Sequence, residues 1–598
     1  MIKNTIIAFL CFCSIAAIAQ TQNTYTISFE NAIHHEALIE ATFSNLESKV
    51  LELRMSRTSP GRYALHEFAK NVYGVKAVDS NGNILPVTRP NPYQWNVSKH
   101  DGTVKVTYIL YANRGGGTYS QVDETHAHLN IPATFMYAPD YDQRPIKVNF
   151  NVREDLEWKV ATQLKRGGGN SYYAPDLHYF MDSPTEISNH SVRSFKVAEN
   201  GKEQTIKFVL HHMGTETELD QYFDGVKKVV LQEKEVFGEL PDFDYGEYTF
   251  LACYIPNASG DGMEHRNSTI LTSTSSLANG GMQENIGTVS HEFFHAWNVE
   301  RIRPQSLEPF DYEESNMSGE LWFAEGFTSY YTGLILVRAG LTTQEDYIKQ
   351  LSDGLNYVWN SPARAYFNPI EMSYQAPFVD AAKSVDPVNR ENTYISYYTY
   401  GSVLGLALDL SLRNLETDKN LDDYMKMVWK TYGKNEILYT VRDLQNMLTS
   451  YAGAEFSTHF FNTYIFDSQM PDYKTLLASV GVNFEQAKQE EASLGTDLND
   501  KFVISSNPFK GSAAYKGGLE NGDEIISING IAIAPQTKSA DFLAQFKPAQ
   551  TVSVLFKRFG TEKETQLSFD ANASYSTSLI EKVKKKIVIK RGAWLGAK

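Results

Sequence analysis

The chain has 598 residues, with 71 acidic against 55 basic side chains and a formal net charge of −16. That length exceeds what one hydrophobic core organises, so several domains are expected. The acidic balance argues against nucleic acid and anionic lipid as partners, and three cysteines, two of them in the first 13 residues, exclude a disulfide-built scaffold.

Met1–Ala19 reads MIKNTIIAFLCFCSIAAIA: one early lysine, an apolar stretch, then Ala17-Ile18-Ala19 in the form of a signal-peptidase site. It is expected to be a leader cleaved before Gln20, giving an exported protein, periplasmic or extracellular. No later run reaches the roughly 18 apolar residues of a membrane span. Residues 20–205 alternate apolar and polar residues in runs such as KVLELRM, TVKVTYILY and IKVNFNV, separated by SPGR, NGN and RGGG turns. This predicts an antiparallel β-sandwich. Within it, His126 and His128 share one face of a strand and could bind a metal, although no third ligand stands beside them in the sequence. Gly115–Gly117 and Gly167–Gly169 lack the Lys-Ser/Thr of a phosphate loop and read as flexible turns.

Over 206–480 the texture becomes mainly helical, starting with ELDQYFDGVKKVVLQEKEVFG. A strand at Tyr248–Ile255 contains Cys253, read as a small buried hydrophobe rather than a nucleophile. After GMEH (Gly262–His265) and the strand-like ILTS comes VSHEFFHAWNVERIR. Its HExxH places His291 and His295 on one helix face, able to aim two ring nitrogens at one zinc ion, with Glu292 beside them as proton carrier. A catalytic zinc needs three protein ligands and an open position. The metzincin extension fails, because Asn298 and Arg301 stand where its glycine and last histidine belong. Glu325 is the expected third ligand: it lies in a helix predicted over Glu320–Gly340 among Trp322, Phe323, Phe327 and Leu334, where an unpaired carboxylate is unfavourable. The intervening Gln305–Ser318 is a loop insertion with solvated acids. Tyr394–Leu410 enters a further helix.

The order GMEH, HExxH, WFAEGF resembles the gluzincin zinc aminopeptidases, and His265 within GMEH resembles the glycyl aminopeptidase branch, metallopeptidase family sixty-one. That resemblance implies a β domain followed by a thermolysin-like catalytic domain with a small edge sheet, and removal of N-terminal Gly or Ala from peptides. It implies that Glu264 holds the substrate's α-amine. It also implies that a tyrosine three residues before a helix-starting glycine, Tyr398 before Gly401, donates to the oxyanion, with Tyr397 as the alternative. Residues 485–575 resemble a PDZ domain in the Gly518-Leu519 and Gly522-Asp523 turns, the strand Glu524–Ile528 and the Asn529-Gly530 hairpin signal, with Leu494-Gly495 as the carboxylate-binding loop. Such a domain either binds peptides or C-termini by strand addition or serves a purely structural role. The basic tail, 576–598, is either a final packed element or a mobile end.

The expected mechanism is hydrolysis with one Zn2+ on His291, His295 and Glu325, Glu292 as general base and then acid, and Tyr398 at the developing oxyanion. Two readings compete with it: a zinc endopeptidase with PDZ-assisted docking, and a non-catalytic PDZ scaffold on a peptidase fold.

Overall fold

Alternation of buried and half-buried residues along Val104–Tyr111 puts this strand inside a seven-stranded sheet whose spatial order is Lys165–Gly168, Ser171–Ala174, Ile146–Asn151, Asn23–Ser28, Glu36–Phe43, Val104–Tyr111, Val72–Val78. The computed structural model describes residues 21–199, 201–379, 386–417, 419–534 and 536–598, so the expected leader lies outside the described residues. The sheet is antiparallel except at one pair, where Asn23–Ser28 runs parallel to Ile146–Asn151. Smaller three- and four-stranded sheets complete this β domain. Tyr25, Phe135 and Phe180 pack ring on ring in its core, with centroids 5.2 to 5.3 Å apart. In the four-stranded sheet, β1 (His126–Leu129) pairs with β2 (Thr185–Ser188).

The next sheet has five strands. Its order is Ser191–Glu199, β3 (Lys202–His212), β4 (Glu247–Tyr254), β6 (Ser268–Ser273) and, at the edge, β5 (Asp261–His265). β3, β4 and β6 run parallel, and β5 returns antiparallel. The parallel connection from β3 to β4 is made by α1 (Glu216–Phe237), opened by a Thr215–Glu218 capping box and closed by Gly238 at φ 84°, both strong boundary signals. Every residue of β4 after Glu247 is buried, as expected of a strand covered on both faces. Because the hairpin of the first two strands spans residue 205, we propose the division between the β and catalytic domains near residue 190.

Four helices carry the interior: α2 (Gly281–Phe294), α3 (Leu321–Ala324), α4 (Gly326–Arg338) and α5 (Tyr397–Arg413). The single helix predicted over Glu320–Gly340 is thus interrupted at Glu325. Its end is as expected: Gly340, at φ 70°, donates to Val337, and Leu341 donates to Leu336, a Schellman arrangement. α4 and α5 cross at two glycines. A Cβ on Gly401 would lie 1.8 Å from the Trp322 carbonyl oxygen, and one on Gly326 would lie 2.3 Å from the Gly401 Cα. Gly401 therefore sits inside α5 rather than at its start, and its role is close helix packing.

The insertion at Gln305–Ser318 packs back on the β domain, where Phe310 and Tyr312 join the core; among its acids Glu313 pairs with Arg54. A four-stranded PDZ sheet orders Ile531–Ala532, Glu524–Ile528, Thr551–Arg558 and Thr561–Ser568. The tail resolves the alternative left open by sequence: α6 (Lys585–Leu595) docks on the catalytic domain. Its Trp594 is fully buried, and the indole N–H donates to Tyr330 at 2.9 Å.

Candidate active site

His291 lies in the last turn of α2 and His295 caps it, so the i, i+4 spacing puts both rings on one face. Each ring is fixed through Nδ1. That of His291 is 3.2 Å from Thr332 Oγ1, whose own proton goes to the Thr328 carbonyl. That of His295 donates to the Asn298 carbonyl at 2.6 Å. Both Nε2 atoms consequently face inward, 3.1 Å apart. Glu325 Oε2 meets them, 3.2 Å from His295 Nε2 and 3.6 Å from His291 Nε2. This oxygen is buried and has no hydrogen-bond partner, while Oε1 accepts from Tyr63 at 2.7 Å.

Those three donors fit a zinc ion: two imidazoles with Nδ1 engaged elsewhere, and a carboxylate with one oxygen held by a second group, the usual support for metal ligands. The electrostatics agree. Burial disfavours charge on His295, yet the Glu325 and Glu264 carboxylates override it and push its pKa up to about 10. Burial also opposes ionisation of Glu325, but its neighbouring imidazoles hold its carboxyl below the usual range. A pocket with that field draws a cation.

Around the trio stand the other expected residues. Glu292 is buried, with Oε2 lacking a partner, and burial holds its carboxyl well above the usual range. Its position depends on Gly262, because a Cβ there would lie 2.1 Å from Glu292 Oε1. Glu264, on the edge strand β5, is buried, and burial raises its pKa as well. Oxygens of Glu264 and Glu292 and a nitrogen of His295 lie within 4.8 Å of one another. Of the two candidate tyrosines, Tyr398 has its ring centroid 5.9 Å from that of His291, and Tyr397 stacks behind it at 4.8 Å. The structure therefore brings His291, Glu292, His295, Glu325, Glu264 and Tyr398 together.

Sequence reasoning missed the supports. Asn298, noted only as a departure from another motif, donates through its side-chain amide to the Phe323 and Ala324 carbonyls at 3.1 and 3.0 Å and to Thr328 Oγ1 at 3.1 Å. It thereby satisfies backbone groups at the helix break beside Glu325. The turn that follows holds Val299 at φ 106°, an unfavourable conformation for a β-branched residue and common where a site over-determines its backbone. Tyr63 and Arg62 come from the β domain. Arg62 pairs with Asp261 and donates to the Gly262 carbonyl at 3.1 Å, fixing the start of β5. Gly117 presses against the same strand: a Cβ on it would lie 2.6 Å from Met263 Cβ and 3.1 Å from the Gly262 carbonyl oxygen. This glycine is needed for close approach, which corrects its reading as part of a flexible turn.

The Peptidase M61 N-terminal domain family matches residues 24–189, M61 glycyl aminopeptidase matches 284–404, and the PDZ domain family matches 475–555. No curated protein matches the chain. A solved structure of an aminopeptidase N family protein from Idiomarina loihiensis has a TM-score of 0.83 at 24% identity, covering 96% of this chain and all of its own. An M1 zinc metallopeptidase from Deinococcus radiodurans has a TM-score of 0.43 at 11% identity, over 76% of this chain and 95% of its own. Aminopeptidase A of Legionella pneumophila, solved with aspartic acid, has 0.44 at 12%, over 94% and 57%. Fold and site define a zinc peptidase. The chain belongs to the M61 glycyl aminopeptidase family and carries a C-terminal PDZ domain.

Proposed function

We propose that the chain is an exported aminopeptidase that uses one zinc ion and removes an N-terminal Gly or Ala from peptides. One observation carries the reading: three ligand atoms converge beside two buried carboxylates, Glu292 on α2, whose Oε2 has no hydrogen-bond partner, and Glu264 on the edge strand β5. His291, His295 and Glu325 would hold the zinc, which supplies Lewis acidity toward a water molecule and a peptide carbonyl.

The remaining roles belong to the chain's own side chains. A peptide lies along β5 by strand addition, and its α-amine is anchored by Glu264. That anchor admits one residue between the amine and the bond to be broken. Glu292 takes the proton of the attacking water and passes it to the leaving amine; its raised carboxyl pKa suits a group that must both accept and donate. Tyr398 donates its hydroxyl to the developing oxyanion.

No helix among the described residues is long and apolar enough to cross a membrane. The export reading rests on the leader pattern alone. A peptide or C-terminus would bind the PDZ domain, and nothing in the chain calls for nucleic acid. The test compares Gly- and Ala-peptides with free and with acetylated N-termini. Cleavage of only the free peptides, abolished in Glu292→Gln with zinc retained, is the expected result. Cleavage of both forms makes the protein an endopeptidase, and cleavage of neither makes it a scaffold.

A further inference from the structure

The two histidines of β1 separate in the structure. His128 uses both ring nitrogens, Nδ1 lying 3.0 Å from Glu186 Oε2 and Nε2 3.2 Å from the Gly116 carbonyl oxygen. His126 does not. Its Nδ1 is 2.9 Å from Thr125 Oγ1, while Nε2 is buried without a partner in a side chain with no exposed surface. An orphaned nitrogen in such a place is unfavourable unless something else completes it.

Opposite it lie His211 on β3 and Cys253 on β4. Parallel pairing sets these two in register as direct neighbours, with Cys253 Sγ 3.4 Å from His211 Nδ1. The His126 and His211 rings are 5.0 Å apart, centroid to centroid. One ligand atom from each of the three residues lies within 4.8 Å of the other two. Behind them is Glu186, fully buried, whose Oε1 has no hydrogen-bond partner and lies 3.7 Å from His211 Nδ1.

We propose that His126, His211 and Cys253 form a second metal site, for a borderline-soft divalent ion of the zinc type. The donor set selects that class: a thiolate with two imidazoles favours zinc over calcium or magnesium. Bonds of about 2.0–2.1 Å to nitrogen and about 2.3 Å to sulfur place tetrahedral ligand atoms about 3.3 to 3.6 Å apart, so the cluster closes by little more than an ångström. On binding, the Cys253 S–H bond breaks, the sulfur's electron pair goes to the metal and the proton leaves to solvent. Thiolate and Glu186 then balance the dication. The His211 side chain, 12% exposed, gives the ion its route in. None of these residues belongs to the catalytic trio, and His126 comes from the β domain while the other two come from the catalytic sheet. The ion would clamp the two domains together. Cys253 is then a ligand and more than core filling.

Cobalt distinguishes this site from the catalytic one, whose expected ligands contain no sulfur. The test uses full-length protein with Cys11 and Cys13 changed to Ser, stripped of metal and reloaded with Co2+. It is expected to bind two ions per chain and to develop a thiolate-to-cobalt charge-transfer band. Cys253→Ser should lose the band and one of the two ions. Glu325→Gln should weaken the other ion's binding and keep the band. Should Cys253→Ser fail to fold, His211→Ala carries the same expectation for ion count. Absence of the band in the parent protein, or one ion per chain in both parent and Cys253→Ser, overturns the proposal.

Discussion

Glu292 keeps one carboxylate oxygen without a partner although its side chain is buried, and that unfavourable arrangement is best explained by a proton-transfer role. Glu292→Gln should lower kcat about 10²- to 10⁴-fold with zinc content unchanged, read by steady-state kinetics beside metal analysis. Tyr398→Phe should cost about 10²- to 10³-fold in kcat with little change in KM, the effect of removing one oxyanion donor. A KM effect alone would instead make Tyr398 a wall of the substrate site. Tyr63→Phe removes the donor to Glu325 Oε1 and should weaken zinc binding about 10- to 100-fold, measured by chelator competition. At this scale the convergence of His291, His295 and Glu325 was legible in the sequence, because i, i+4 spacing and a carboxylate in an apolar helix are local signals. Tyr63 was not: it is separated from Glu325 by 262 positions, and one tyrosine among 35 carries no mark of its destination.

The break at Glu325 is what the helix pattern could not reveal. The apolar spacing over Glu320–Gly340 continues through it, and the cause lies elsewhere, in the Asn298 amide that bonds Phe323 and Ala324. The C-terminal end was legible because Gly340 marks it chemically. The glycine–glycine crossing of α4 and α5 was half legible: Gly401 drew notice as a helix start, whereas its need is steric. Gly401→Ala drives a methyl group toward the Trp322 carbonyl and should destabilise the fold by about 1–3 kcal/mol, seen as a lower melting temperature. It should also move Tyr398, three residues earlier, so activity should fall more than stability alone explains. Unchanged stability would mean that the crossing is loose.

Two remote segments complete the catalytic domain. The β domain contributes Arg62, Tyr63 and the Gly115–Gly117 loop to the edge strand and to Glu325. The C-terminal helix inserts Trp594 against Tyr330, and Arg338 donates to the Trp594 carbonyl at 3.1 Å. Trp594→Ala should therefore destabilise by about 3–5 kcal/mol, measured by denaturant unfolding of the catalytic domain's transition; a negligible effect would make the docked helix dispensable. The β, helical and PDZ textures were legible from periodicity and turn chemistry. The tail's docking was not, because VKKKIVIKRGAWLGAK is basic and has only Trp594 and Leu595 fully committed to the core. The zinc assignment rests on one coordination sphere, and anomalous scattering at the zinc edge from crystals of the zinc-loaded protein tests it most directly. The predicted result is a peak bonded to His291 Nε2, His295 Nε2 and Glu325; a zinc-loaded crystal with no peak there, or with Glu325 turned away from it, would contradict the assignment.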